Sequence, residues 1–348
     1  MTVSFNFKVE GEHYPATRVL LPSHSMNIAL AGNKGQEGFP TRNLVEVSGD
    51  TGIGKSTFAT NIASWVSQKC GNLPIAYLDL EGQDEDTIMN TLANSNYSAE
   101  TFNWVSPAGK KKESKGDEAL LGQLEDYLNE EPPYIGILDS VAAISPVAEV
   151  EGDLGDANMG RRSFTMAQFT RRVIRTLRMS EIPTVLFLLN HQYEKIGAIG
   201  RAKVYESPGG KVKNNLEKLR IQMRIPWVDY ISAGETKAEG RWIESAAWIL
   251  EGKVDKNRSG AKNDVFQVFI YGGQGIHVGM SAVIDCLASG LAEMKSGGKL
   301  VMDGQDFGLL SKIIANKRDD TEFFVTFQNA LKVETIDTMS SDEGEEDE

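Results

Sequence analysis

Apolar positions along this chain repeat in two rhythms. Residues 43–49, NLVEVSG, make a short and nearly unbroken apolar run, as a buried strand does. Residues 55–69, KSTFATNIASWVSQK, follow with Phe58, Ile62, Trp65 and Val66 at helical spacing. The pairing recurs: PIAYLDLEG (74–82) predicts a second strand, DEALLGQLEDYLNEE (117–131) an amphipathic helix, and YIGILDS (134–140) a third strand. After an Arg-rich helical segment, TVLFLLNHQ (184–192) predicts the fourth. Continuous apolar strands separated by helices predict an α/β fold with a mostly parallel central sheet and ligands at the strands' C-terminal ends. KLRIQMR, SAAWILEGKV and DVFQVFIYGG then lie close together, predicting antiparallel strands that extend the sheet. Residues 280–331 read as a small helical lobe, no internal repeat is visible, and the lysines at 110–112 fall in a polar loop expected to be exposed.

Composition removes several classes of function. The longest strongly apolar run, TVLFLL at 184–189, is far too short to span a bilayer, so no membrane partner is expected. The opening MTVSFNFK lacks the charged-then-apolar layout of a signal peptide. Cys70 and Cys286 form no C-x-x-C and His13, His24, His191 and His277 are scattered, which argues against a disulfide framework or a metal cluster and for a cytoplasmic setting. Net charge is −13, which alone argues against a polyanion partner. Yet residues 158–224 hold fourteen Lys/Arg against four Asp/Glu, and six acids crowd the last eight residues, SDEGEEDE. A basic block inside an acidic chain is either the footprint of a polyanion site or a well-solvated helix face; acid runs at a chain end are usually disordered.

The chemistry begins at SGDTGIGKST, residues 48–57, which fits G-x-x-x-x-G-K-[ST]. Gly49, Asp50, Thr51, Gly52, Ile53 and Gly54 would turn backbone N–H groups around a β-phosphate, Lys55 would reach the β/γ oxygens, and Ser56 with Thr57 opens the helix, Ser56 facing Mg²⁺. Asp139 closes an apolar strand as a second nucleotide motif does, placing a carboxylate at the metal. Glu81 closes AYLDLEG, where a carboxylate can orient and deprotonate an attacking water; Asp79, two residues earlier on the same face, competes for that role. Asn190, His191 and Gln192 end the fourth strand, within reach of a γ-phosphate. DLEG (79–82) and NKRD (316–319) match GTPase patterns, but Asn316 ends a helical stretch and guanine readout needs a strand end of the same sheet.

Taken together these residues resemble a known family. YIGILDSVAAISPVAEVEGDLGDANMG (134–160) is similar to the RecA recombinases from their second nucleotide motif into the first DNA-binding loop. SHSMNIALAG (23–32) and the Asn190–His191 pair resemble the phage UvsX branch, and PGGKVKNNLEKLRIQMR (208–224) resembles the region after the second loop. VDKNR (254–258) and YGGQGI (271–276) follow at the expected interval, so the resemblance covers about residues 23–290. It implies a RecA-like P-loop ATPase core that uses ATP and Mg²⁺, encoded by a phage and working in the host cytoplasm. Glu81 would be the general base and His191 the γ-phosphate sensor, while Lys256 and Arg258 would complete the ATP site of an adjacent protomer.

The same resemblance implies DNA strand exchange, with single-stranded and homologous duplex DNA as partners, a helical filament as the assembly, and a loading or single-strand-binding protein beside it. Residues 151–162 would be the first DNA loop, with Arg161 and Arg162. Residues 194–213 would be the second, with Lys195, Arg201, Lys203, Gly209, Gly210, Lys211 and Lys213 tracking the phosphate backbone without base readout. Arg171, Arg175 and Arg178 form one basic helix face, opposite a core face of Phe169, Val173 and Leu177. The chain departs from bacterial RecA at its start, where VSFNFKV (3–9) alternates like a half-buried strand, either a polymerisation strand or a home-sheet edge. The expected division is 1–40 as an N-terminal segment, 41–278 as the ATPase core, 279–332 as the lobe and 333–348 as a disordered acidic tail. A hexameric helicase of the same fold and a non-catalytic DNA-binding paralogue are the rival readings.

Overall fold

The computed structural model describes residues 18–32, 36–107, 116–153, 160–194, 205–206, 208–226, 237–238, 241–242, 247–258, 260, 264–317 and 319–342. The strand expected at 3–9, the lysines at 110–112 and residues 343–348 of the tail lie outside them.

Among the described residues the largest element is an eleven-stranded sheet. Its principal strands are β1 (Asn43–Ser48), β2 (Ile75–Asp79), β3 (Phe102–Val105), β4 (Ile135–Asp139), β5 (Val185–Asn190), β6 (Leu219–Arg224), β7 (Ala247–Asn257) and β8 (Val265–Tyr271). Along the sheet the order is β7-β6-β1-β5-β4-β2-β3, with β8 on the far side of β7 and short strands completing the edge. Every pair from β6 through β3 is parallel. The crossing helices include α1 (Lys55–Lys69), α2 (Glu118–Leu128) and α3 (Arg161–Met179), and α4 (Gly210–Leu216) is a short one that leads into β6. Strands β1, β4 and β5 are buried at every position, because helices cover both faces of a parallel sheet. One face packs Phe58, Ile62 and Val66 of α1 on Val47, Ile137 and Phe187, and the other packs Leu124 of α2 and Val173 of α3 on Leu78 and Leu138.

Two expectations needed correction. Residues 219–224 are not wholly part of an antiparallel extension: β6 runs parallel to β1 and antiparallel only to β7, so the reversal begins one strand later. The lobe after 278 is not purely helical. Helix α5 (Val278–Ser289) is followed by a three-stranded antiparallel sheet, β9 (Ala292–Lys295), β10 (Lys299–Met302) and β11 (Gln305–Leu309), and then by α6 (Leu310–Asn316) and α7 (Thr321–Asp342). Asp303 and Gly304 join β10 to β11 with φ of 51° and 78°, the two left-handed residues that a tight hairpin requires. Phe324 and Phe327 of α7 pack in one cluster with Val283 of α5 and with Ile249 and Phe269 of the large sheet. Among the described residues no helix is long and apolar enough to cross a membrane.

Candidate functional site

The loop between β1 and α1 turns on glycines that have no substitute. A Cβ on Gly49 would meet the Met223 carbonyl oxygen at 2.6 Å, and Gly54 caps α1 at φ 101°. Trp248 fixes the loop from outside, its indole N–H donating to the Ile53 carbonyl at 3.1 Å. Asp50, Thr51 and Gly52 are exposed at the crest. Lys55 folds across the loop and donates to the carbonyls of Asp50 at 2.7 Å and Gly49 at 3.2 Å. Burial lowers its pKa, while the charges of Asp139, Glu81 and Asp50 act to raise it.

Three strand ends meet this loop. Asp139 leaves β4 buried, and its Oδ2 accepts from Ser56 Oγ at 2.6 Å and from Tyr77 Oη at 2.6 Å. Burial raises the Asp139 pKa, and those two hydrogen bonds oppose the rise. The Ser56 hydroxyl and the Asp139 carboxylate are hard oxygen donors side by side at a helix start, a donor set that fits Mg²⁺. Beyond β2, Asp79 accepts the backbone N–H groups of Glu81, Gly82 and Gln83 at 2.9–3.1 Å. That occupation separates the two competing carboxylates: Asp79 shapes the turn, and Glu81 points onward. Glu81 Oε1 accepts from Ser140 Oγ and lies 2.8 Å from His191 Nε2. His191 Nδ1 is 3.4 Å from Thr51 Oγ1, so the tautomer with its proton on Nε2 serves both contacts. A chain of side chains, Glu81–His191–Thr51, therefore closes from β2 through the end of β5 to the phosphate-loop crest.

The DNA residues expected from sequence meet different outcomes. Arg161 is exposed at the start of α3, whereas Arg162 donates to the Ile144 carbonyl at 2.8 Å and pairs with Glu149. Gly209 and Gly210 lead into α4 with φ of 101° and 79°. Lys195, Arg201, Lys203 and the side chain of Lys211 lie outside the described residues. Lys213 contradicts its expected place on the surface: it is fully buried, with Nζ on Glu46 Oε1 and 3.9 Å from Glu217 Oε2. The α4 turn carries it inward over β1, where Glu46 has no solvent of its own. Arg171, Arg175 and Arg178 are exposed on α3, and Phe169, Val173 and Leu177 are buried, as their spacing predicts.

Around Lys213 lies a charge network that motif reading missed. Arg220 Nε is 3.1 Å from Glu46 Oε2, and its Nη2 pairs with Glu217 Oε1. Lys256 Nζ is 3.6 Å from the same Glu217 oxygen and donates to the Asn214 carbonyl, while Arg258 Nη2 donates to the Asn215 carbonyl. Burial first, and then the Glu46 charge, push Glu217 up to about 8. Asn190 ties the network to the end of β5, donating to Glu46 Oε1 and the Pro208 carbonyl, each at 2.9 Å. The one visible signal was Glu46, a lone acid inside an apolar strand.

With this geometry in place, comparison with known proteins is informative. The family model of the RecA N-terminal domain matches residues 17–241. Protein RecA of Lactobacillus acidophilus is 28% identical over 252 residues, which cover 72% of this chain and 62% of the relative. Protein RecA of Lactobacillus delbrueckii subsp. bulgaricus is 28% identical over 268 residues, 76% of this chain and 72% of the relative. Protein RecA of Pseudarthrobacter chlorophenolicus is 28% identical over 304 residues, covering 86% and 77%. The first of these is matched over less than two thirds of its own length.

Proposed function

Since this chain belongs to the RecA family, we propose that it is an ATP-dependent DNA strand-exchange protein that assembles as a helical filament on single-stranded DNA and pairs it with a homologous duplex. The observation that carries this reading is the Glu81–His191–Thr51 chain. It ties the hydrolytic carboxylate to the residue three positions ahead of the second basic loop, so DNA on that loop and nucleotide on the phosphate loop act on one side chain.

In the proposed reaction a water attacks the γ-phosphorus in line, the bond to the β–γ bridging oxygen breaks, and ADP leaves. Glu81 takes the water's proton, with Ser140 and His191 orienting its Oε1. Lys55 exchanges the loop carbonyls for β/γ oxygens. Ser56 and Asp139 would hold Mg²⁺, which neutralises phosphate charge when bound. Lys256 and Arg258 would reach the nucleotide of an adjacent protomer and stabilise charge on the γ-phosphoryl oxygens, so hydrolysis needs assembly. Arg161 with Lys195, Arg201, Lys203 and Lys211 would track the DNA backbone. The division at 40, 278 and 332 accompanies this reading, with residues 41–278 as the ATPase core.

The test is ATP hydrolysis with and without single-stranded DNA, for wild type and Glu81→Gln, with electron micrographs of the same samples. DNA-stimulated turnover that falls about 10²–10⁴-fold in the variant, with open filaments in both, is the expected result. Closed rings would favour a helicase, and absent hydrolysis a non-catalytic paralogue.

A further inference from the structure

Lys256 and Arg258 are not held out toward solvent. Both are engaged within their own protomer, on consecutive carbonyls, Asn214 and Asn215, in the last turn of α4. These are acceptors that a helix C-terminus leaves without intrahelical partners, and they carry the negative end of the helix dipole. Glu217, one residue beyond the helix, adds a carboxylate 3.6 Å from Lys256. The contact is anchored on both sides. Arg258 N–H donates to the Lys218 carbonyl at 2.9 Å, and β6 pairs Arg220 with Lys256 across the ladder.

The other end of α4 is the exit of the second basic loop. Gly209 caps the helix, and Pro208, just before it, is held by Asn190 at the end of β5, next to His191. Helix α4 is what the two cations hold.

We propose that Glu217 and the C-terminal turn of α4 form a latch that parks Lys256 and Arg258 within the free protomer, and that assembly on DNA releases them toward a neighbouring protomer's nucleotide. Glu217 is a positioning residue in this scheme: it touches no nucleotide and acts through Lys256. The inference rests on the reading of Lys256 and Arg258 as cations supplied in trans, and it adds what restrains them before DNA arrives.

Glu217→Gln keeps the shape and, assayed at about pH 9 where the Glu217 carboxyl is ionised, removes its charge. Burial already pushes Glu217 up to about 8, so the fold tolerates a neutral group there. The latch requires that this variant hydrolyse ATP about fivefold faster than wild type without DNA, the size of one weakened charge-assisted contact. Its DNA-saturated rate should stay within twofold of wild type, so that the stimulation ratio falls. A loss of packing alone would lower both rates together, and that result, or an unchanged ratio, overturns the proposal. Hydrogen exchange on wild type is the second measurement: amides of 210–220 and 254–258 should exchange faster once single-stranded DNA is added. Unchanged exchange there, with DNA demonstrably bound, also overturns the latch. Should wild type show no DNA-stimulated hydrolysis, the functional reading fails instead. Exchange in nucleotide-free Glu217→Gln then judges the latch alone, which requires faster exchange at 254–258 than in wild type and is refuted by equal exchange.

Discussion

Replacing Lys213 with methionine separates two incompatible roles for that residue. Its ammonium lies between Glu46 and Glu217, and the three side chains are each 0% exposed. Removing one partner of a buried ion pair costs about 3–5 kcal/mol, because the remaining charge stays desolvated. Arg220 still bridges both carboxylates, and Glu217, raised to about 8, is already protonated near pH 6, so the low end of that range applies there. The pH dependence has a definite sign. A carboxyl whose folded pKa lies above its unfolded value binds more protons in the folded state, so its contribution to stability is lost as pH rises from the ordinary 4.5 through about 8. Without Lys213 the folded pKa of Glu217 lies higher still, so the two proteins lose stability in parallel up to about pH 8, and the deficit of the variant grows only above it, by up to about 1.4 kcal/mol per unit. At roughly 2 °C per kcal/mol, Lys213→Met should melt about 6–10 °C below wild type up to about pH 8, and by more above it.

The second assay is single-stranded DNA binding against salt, at a temperature where both proteins are folded. A buried Lys213 leaves the slope of log K against log salt unchanged. A Lys213 on the phosphate backbone would reduce its magnitude by about 0.7. An unchanged melting temperature together with a reduced slope would refute the buried network and return Lys213 to the DNA.

Two substitutions probe the packing behind the site. Tyr77→Phe keeps the ring stacked on Trp104, at 4.9 Å between centroids, and deletes only the O–H donated to Asp139. It should lower stability by about 1.5–3 kcal/mol in thermal melting, and wild-type melting would show that Asp139 needs no second donor. Gly252→Ala would place its Cβ 2.2 Å from Phe266 Cζ, and that ring stacks on Phe58 of α1 at 5.9 Å. A loss of about 1–3 kcal/mol is expected in thermal melting, and an undiminished transition would mean that the Phe266 ring moves aside freely.

Local pattern was enough for the central strands and the first helix. Helix α1 spans residues 55–69 as read from its apolar spacing, and β1, β2, β4 and β5 fall within the runs that predicted them. The strand-end placement of Glu81, Asp139 and His191 followed, because parallel strands deliver their last residues to one edge of the sheet. Strands β9, β10 and β11 have only four, four and five residues, too few for alternation to stand out among interleaved Lys and Glu. Asp303–Gly304 was the available hairpin signal. Lys213 was illegible for another reason. Helix α4 has seven residues and no full amphipathic repeat, and the partner that decides its orientation is Glu46, 167 residues away. The choice between Asp79 and Glu81 needed the backbone as well, since the three N–H groups that occupy Asp79 exist only once the turn has formed.

The balance of charge at the β6–β7 end bears on why this edge of the sheet carries the cations at all. Pairing sets Arg220 directly opposite Lys256, and like charges so placed repel. Glu46 and Glu217 compensate Lys213, Arg220 and Lys256 only in part, since burial and their mutual repulsion push Glu217 toward its protonated form. Lys218 adds to the excess: burial lowers its pKa, and the charges of Arg178 and Arg258 lower it further, so cations from α3, β6 and the end of β7 converge there. A fold could remove that repulsion with one more acid. Its retention fits an edge whose missing anion comes from outside the protomer, and the triphosphate of a neighbouring subunit has the charge to serve. Under the proposed function the carbonyls of α4 would do in the free protein what that nucleotide would do in an assembled one, so that the same two cations could be both parked and poised.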